Sequence, residues 1–274
     1  MTNLLTSDLK RIRKDKLFFV SLIIALAFSV FTPLLYFALF KGMDALSMDM
    51  LGIGTSAKNM FFTAFNIGND MGLIAPLFIA IILFKDFSFG TIRNKIIAGH
   101  TRSNIFLSMY VSCMIALLVV TFIYAFATLG VSLLLFPYQE GVFGWQDLWY
   151  LLSSLVLECV LYLFVTALVC YITVSSKNIG LVIVKYLGVV MGAALVTGVI
   201  QLALMASQYD SGRETMVKVL EFISKINIYN YPSVIGMGTS YEGGDILYML
   251  AIPLVLTMGL VLLGNRKLCK KDIK

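Results

Sequence analysis

Six apolar runs, at residues 17–40, 61–84, 105–136, 148–174, 179–206 and 246–264, dominate this 274-residue chain. Each approaches or exceeds the roughly 20 residues that a helix needs to cross a hydrocarbon core about 30 Å thick at 1.5 Å per residue. Composition agrees: 59% of the residues are hydrophobic, 13% are charged and the mean hydropathy is +0.92, which is not the profile of a soluble domain. With no water in the bilayer to satisfy backbone amides and no alternating strands in the sequence, helices are the spanning structure to expect. The expected fold is all-α: a single polytopic membrane domain over residues 1–274 with six transmembrane helices. The second run is the least regular, interrupted in its first half by Asn66, Asn69 and Asp70.

Basic residues give the expected orientation. Fifteen Lys and Arg fall in the N-terminal arm, the second-to-third and fourth-to-fifth connections and the C-terminal tail; five fall on the opposite side, and Lys185 lies within the fifth run. The positive-inside rule then places both termini, the segment 85–104 and the tail 265–274 in the cytoplasm. The net charge of +6 reads as topology and contact with anionic membrane lipids, not as nucleic-acid binding, since no basic domain with interleaved aromatics stands outside the membrane. In the arm, residues 1–16, Leu5, Leu9 and Ile12 recur at helical spacing opposite Lys10, Arg11, Arg13 and Lys14, the pattern of an elbow helix on the inner leaflet. The run behind it continues past Ala25-Leu26-Ala27, so an uncleaved anchor is expected in place of a signal peptide.

The chemistry of a catalyst is missing from the sequence. Cys113, Cys159 and Cys170 lie in apolar runs and Cys269 on the expected cytoplasmic side, which gives no disulfide framework. His100 is the single histidine and has no Cys nearby with which to hold a metal. No Gly-rich turn leads into Gly-Lys-Ser/Thr, and no Ser/His/Asp, Cys/His or paired-carboxylate spacing stands at a membrane surface. The chain is therefore not expected to be an enzyme or to carry a cofactor, and any ATP used must be hydrolysed by a partner.

Ionisable groups inside a bilayer cost ~3 kcal/mol on insertion scales, so they mark function by default. Glu158 and Lys185 qualify, and with Asn66, Asn69 and Asp70 they are candidates to line a substrate path; interhelical polar glue is the other reading. An ion pair between Glu158 and Lys185 has to bridge levels roughly 13 to 15 Å apart, and Lys185 has the alternative of snorkelling inward. Gly188 and Gly192, extended by Ala193 and Gly198, permit close helix contact within the chain or across a dimer. On the expected outer side, residues 207–245 form the one sizeable connection. Met216, Val219, Leu220, Ile223 and Ile226 predict an amphipathic helix packed on the bundle, with Arg213, Glu214, Lys218 and Glu221 facing away. Gly243-Gly244-Asp245 then turns into the last span, and Trp145, Trp149 and Tyr150 read as interfacial anchors.

The segment 85–104 reads KDFSFGTIRNKIIAGHTRSN. Gly90-Thr91 starts a short helix with Ile92, Ile96 and Ile97 on one face and Arg93, Asn94 and Lys95 on the other; Gly99 stops it, and Thr101 or Ser103 caps the third span. Continued into Ile105-Phe106, this segment resembles the cytoplasmic signature of type-2 ATP-binding-cassette permeases, especially the bacterial bacitracin-resistance and lantibiotic-immunity permeases. In that family an acidic residue precedes Gly-Thr, a basic helix, Gly and Ser/Thr-Arg. Asp86, Gly90, Thr91, Arg93, Gly99 and Arg102 stand at those places, with Asp86 where the family often has Glu. The six spans, the elbow, the helix-bearing fifth-to-sixth connection and the basic ending GNRKLCKKDIK extend the similarity over the whole chain.

The resemblance implies a permease of the bacterial plasma membrane that pairs with a second copy or a paralogue and with two ATPase subunits, which supply the ATP and magnesium chemistry. Asp86, Gly90, Thr91, Arg93, Asn94, Lys95, Gly99 and Arg102 are then the ATPase-coupling residues. The implied cargo is hydrophobic or amphipathic: a peptide or antibiotic first, otherwise a drug, lipid or glycan. Two other classes stay open. A secondary transporter would carry matched broken helices, and Pro33, Pro76 and Pro253 give no such pair. A membrane sensor or scaffold of the same fold would fail to couple ATP hydrolysis.

Overall fold

A computed structural model of the chain describes residues 2–40, 56–68, 70–138, 144–207, 214–237, 241 and 243–271. Among these residues all the regular structure is helical, with no strand. Helix α1 (Thr2–Lys14) passes through Asp15 into α2 (Lys16–Phe40); then come α3 (Ala57–Thr63), α4 (Asp70–Ser88), α5 (Thr91–Ile97), α6 (Arg102–Leu135), α7 (Trp145–Ser175) and α8 (Ile179–Ser207). Helix α9 (Glu214–Ile226), a 3-10 turn (Ile228–Asn230), α10 (Tyr231–Met237) and α11 (Gly243–Lys270) complete the order. Six helices, α2, α4, α6, α7, α8 and α11, are long and apolar enough to cross a membrane, which makes this a multi-pass membrane protein.

The second span differs from expectation. No continuous helix runs from residue 61: α3 stops at Thr63 and α4 begins only at Asp70. The cause is local, because the Asn66 side chain accepts a hydrogen bond from the Gly68 amide at 2.9 Å, a turn that competes with the helical ladder. Asp70 then takes a φ of 38°, rare for a residue with a Cβ, and opens α4, where a carboxylate suits the positive end of the helix. The last span also differs: α11 runs through Lys270, so most of the expected tail is helix.

Helix α7 is the axis of the bundle. Of its most apolar stretch 72% is buried, against 17% for α8 and for α11. Helix α11 lies along α7, α2 along α6, and α4 touches α2, α6, α7 and α8. Tyr150 belongs to this core and is no surface anchor: it is buried, stacks on Tyr241 at 4.7 Å and donates to the Ile235 carbonyl. Trp145 and Trp149 are exposed, as interfacial residues should be. Gly188 and Gly192 lie on the open side of α8 with no group of another helix within 4 Å of where a Cβ would stand, so the close contact they permit is not made within the described part of the chain.

Helix α9 forms where its periodicity predicts, yet it is not packed as expected. It leans on α8 with Val217 and Leu220 half-buried, while Met216, Val219, Phe222, Ile223 and Ile226 stay exposed. The wide apolar arc exceeds what one neighbouring helix can cover. Arg213 and the Glu214 side chain lie outside the described residues.

Candidate functional site

Glycine defines both ends of α5. Gly90 before it and Gly99 after it have φ of 69° and 87°, the left-handed region where a Cβ is strained. At the second end the His100 amide donates to the Lys95 carbonyl at 3.2 Å and the Gly99 amide to Ile96 at 2.9 Å, the bond pair of a Schellman stop. Thr101 Oγ1 then accepts from the Asn104 amide at 3.3 Å and caps α6. Span, short helix and span therefore follow one another as the local chemistry predicts.

The faces of α5 do not. Ile92 is buried and Ile96 half-buried, but Ile97 is 73% exposed. A helix of two turns resting on a bundle buries one stripe, and Ile97 stands about 100° round from Ile96. Lys95 turns inward, where its ammonium meets Asp8 of α1 at 2.5 Å; the two side chains are 10% and 1% exposed. The other Asp8 oxygen accepts from Ser108 of α6 at 2.7 Å.

Two further ion pairs follow along the same helix. Arg11 pairs with Asp86, and the Lys85 ammonium lies 2.9 Å from both oxygens of Asp15, which also accepts from the Leu17 amide and caps α2. All the ion pairs found among the described residues thus join α1 and its exit residue to the α4–α5 segment. The buried stripe of α1 is Leu4, Asp8 and Ile12, rotated from the Leu5, Leu9 and Ile12 face read from periodicity. Desolvated, hydrogen-bonded pairs of this kind hold a geometry more than they add stability. Helices α1 and α5, the end of α4 and the start of α6 make one platform.

The predicted coupling residues divide on this platform. Asp86 and Lys95 are engaged inside it, and Gly90, Thr91 and Gly99 shape its helix. Arg102 is engaged too: its guanidinium donates to the carbonyls of Cys269 and Lys271 at 2.6 and 3.0 Å, closing the end of α11. Arg93 and Asn94 are exposed, flanked by Phe89 and Ile97 at 77% and 73% exposure, so the free surface is mixed apolar and basic.

Residues 18–274 match a family model described as a protein of unknown function, DUF2705. The chain belongs to that family. No curated protein matches the sequence. The DUF2705 match takes in Lys85, Asp86 and Lys95 but starts after Asp8, Arg11 and Asp15, so the platform is built half from inside the family region and half from the arm before it.

Sequence reasoning missed Asp8, Asp15, Lys85 and Ser108 and gave Arg11 no partner. One signal was present: Asp8 stands between Leu4 and Ile12 in an apolar i, i+4 stripe of a basic arm. Other cations finish the helices that end at this level. Lys271 donates to the Val174 and Ser176 carbonyls at 2.8 and 3.2 Å and lies 4.4 Å from the Phe87 ring centre; burial, with the charges of Lys185 and Lys267, pulls its ammonium below the ordinary lysine value. Lys185 lies 3.3 Å from Ser175 Oγ, at the carbonyl end of α7.

The candidate path residues are not brought together in this DUF2705 chain. Lys185 snorkels to Ser175, about 25 Å along α7 from Glu158, so those two do not pair. Asn66 is used in its turn, and Asn69 lies outside the described residues. Asp70 accepts from the Tyr124 hydroxyl at 3.3 Å. Glu158 is fully buried on α7, and neither carboxylate oxygen has a hydrogen-bond partner among the described residues.

Proposed function

We infer that this chain is the membrane subunit of an ATP-driven exporter in a bacterial plasma membrane, with both termini and α5 on the cytoplasmic side and ATP hydrolysed by two separate ATPase subunits. The observation that carries the reading is the platform: a two-turn helix clamped to α1 that presents Arg93, Asn94 and Ile97 outward, with Phe89 exposed just before it. A clamped helix transmits a push that a loose loop would dissipate. The excess of Lys and Arg on this side supports the orientation. A second permease, copy or paralogue, has the uncovered α8 surface with Gly188 and Gly192 to pack on. The cargo is a hydrophobic or amphipathic molecule, a peptide or antibiotic first, and Glu158 stands on its route.

Because Lys95 is held inside, the test uses the outward residues. Arg93→Glu combined with Ile97→Asp should abolish co-purification with the ATPase while leaving the melting temperature in detergent unchanged. Undiminished co-purification would sink the coupling assignment, and ATPase binding without cargo-stimulated hydrolysis would make the chain a scaffold. Glu158→Gln should slow transport at normal expression; transport at the parent rate removes Glu158 from the route.

A further inference from the structure

At the opposite end of the bundle from α5, a cleft of about 350 Å³ opens between α9, the 3-10 turn, α10 and the start of α11. This lies within the roughly 300–1,000 Å³ range of small-molecule sites. Two of its lining residues carry opposite charge. Glu221 and Lys225 stand four residues apart on α9, the spacing and order at which such a pair commonly closes. Here they do not pair: no ion pair joins them among the described residues, and the Lys225 ammonium lies 5.5 Å from the centre of the Tyr248 ring. Ser224 and Asn230, bonded to each other at 2.7 Å, add polar groups beside them, and Tyr231 and Tyr248 form an aromatic wall.

The side of α9 turned away from the cleft is apolar, and nothing among the described residues covers it. Val219, Phe222 and Ile226 of α9 are 53%, 64% and 47% exposed, and on the two spans that border the cleft Leu202 of α8 and Leu247 of α11 are 68% and 71% exposed. A helix with such a face beside membrane spans lies in the headgroup region, its apolar side toward the acyl chains. The cleft therefore meets the bilayer at the depth of the lipid phosphates.

We propose that this cleft is a phospholipid site for a zwitterionic, phosphoethanolamine-type headgroup. Lys225 takes the phosphate, with Ser224 and Asn230 as neighbouring polar groups, and Glu221 takes the ammonium. The two charges leave the helix about 6 Å apart, a span that a phosphate and an amine joined by two carbons can bridge. Glu221 selects against headgroups with net negative charge, and the acyl chains run along α8 and α11. The site is independent of the cargo and of the ATPase.

The test uses the full chain, delipidated in detergent, with thermal unfolding followed as lipid is added. Phosphatidylethanolamine should raise the melting temperature with an apparent affinity about five-fold above that of phosphatidylglycerol with the same chains, a difference of about 1 kcal/mol. Lys225→Gln should remove the rise with both lipids, and Glu221→Gln should make the two lipids equivalent. Soluble phosphoethanolamine and inorganic phosphate at the same concentration should do nothing. Equal shifts by the two lipids on the parent protein overturn the proposal, as does a preference that survives Glu221→Gln. A shift by soluble phosphoethanolamine as large as that by the lipid would make this a site for a free phosphate ester and overturn the lipid assignment. Lipid retention by the parent protein in native mass spectrometry, one lipid against the other, decides the case if either variant fails to fold.

Discussion

The two ends of this bundle treat charge in opposite ways. On the platform Asp8, Asp15 and Asp86 each meet a basic side chain, and two of the three acids are almost wholly withdrawn from solvent. On α9 Glu221 and Lys225 stand one turn apart without meeting, on a helix whose apolar face nothing among the described residues covers. A desolvated charge without a partner is costly, so the paired end must keep its geometry; a solvated charge is under no such constraint. Ion pairs here mark where the backbone is held, and their lack marks where something else can bind.

The contrast should break first at Asp8. Asp8→Ala strands the Lys95 ammonium and the Ser108 hydroxyl in a buried site and should lower unfolding free energy by about 3–5 kcal/mol, read as a lower melting temperature in detergent. Adding Lys95→Met should recover a large part of that loss; a single variant that melts with the parent would show that this pair does not hold the platform. Arg11→Met comes next, at about 2 kcal/mol, because it leaves Asp86 at 2% exposure while Arg11 itself is partly solvated. Lys85→Met should cost about 1 kcal/mol or less, since both partners reach water. Any other order among the three would mean that burial does not set the strength of the clamp. Smallest of all, Glu221→Gln and Lys225→Gln should each change stability by less than about 0.5 kcal/mol in lipid-free detergent. A loss as large as that of Arg11→Met would erase the difference between the ends.

What could be read in the sequence follows the range of the forces involved. The six spans as such, the Gly90 and Gly99 boundaries of α5 and the Thr101 cap depend on residues a few positions apart, and they stand where local chemistry puts them. The clamp does not: its partners are separated by 70 to 100 residues, so no periodicity reports them. Apolar faces were ambiguous for a different reason. Lipid and protein core are equally apolar, so the pattern that makes Ile97 or Phe222 hydrophobic does not say whether another helix covers it. The same ambiguity hid Tyr150 in a row of expected surface aromatics. The break before Asp70 was half visible, since Asn66, Asn69 and Asp70 announced polarity in the second run, but whether polarity means a lined path or a turn is decided by one side-chain bond from Asn66.

Arg102 grips the last carbonyls of α11, while five residues into that helix Tyr248 closes the cleft at the other end of the bundle. Helix α11 is thus a rod of about 40 Å with one end fastened beside α5 and the other set in the headgroup cleft. Pro253 interrupts its ladder near the cleft end, the natural point for it to bend. A displacement of the start of α6 that pulls on Arg102 meets a continuous helix leading to Tyr248, with Pro253 as its point of give, so one rod joins the two sides of the membrane.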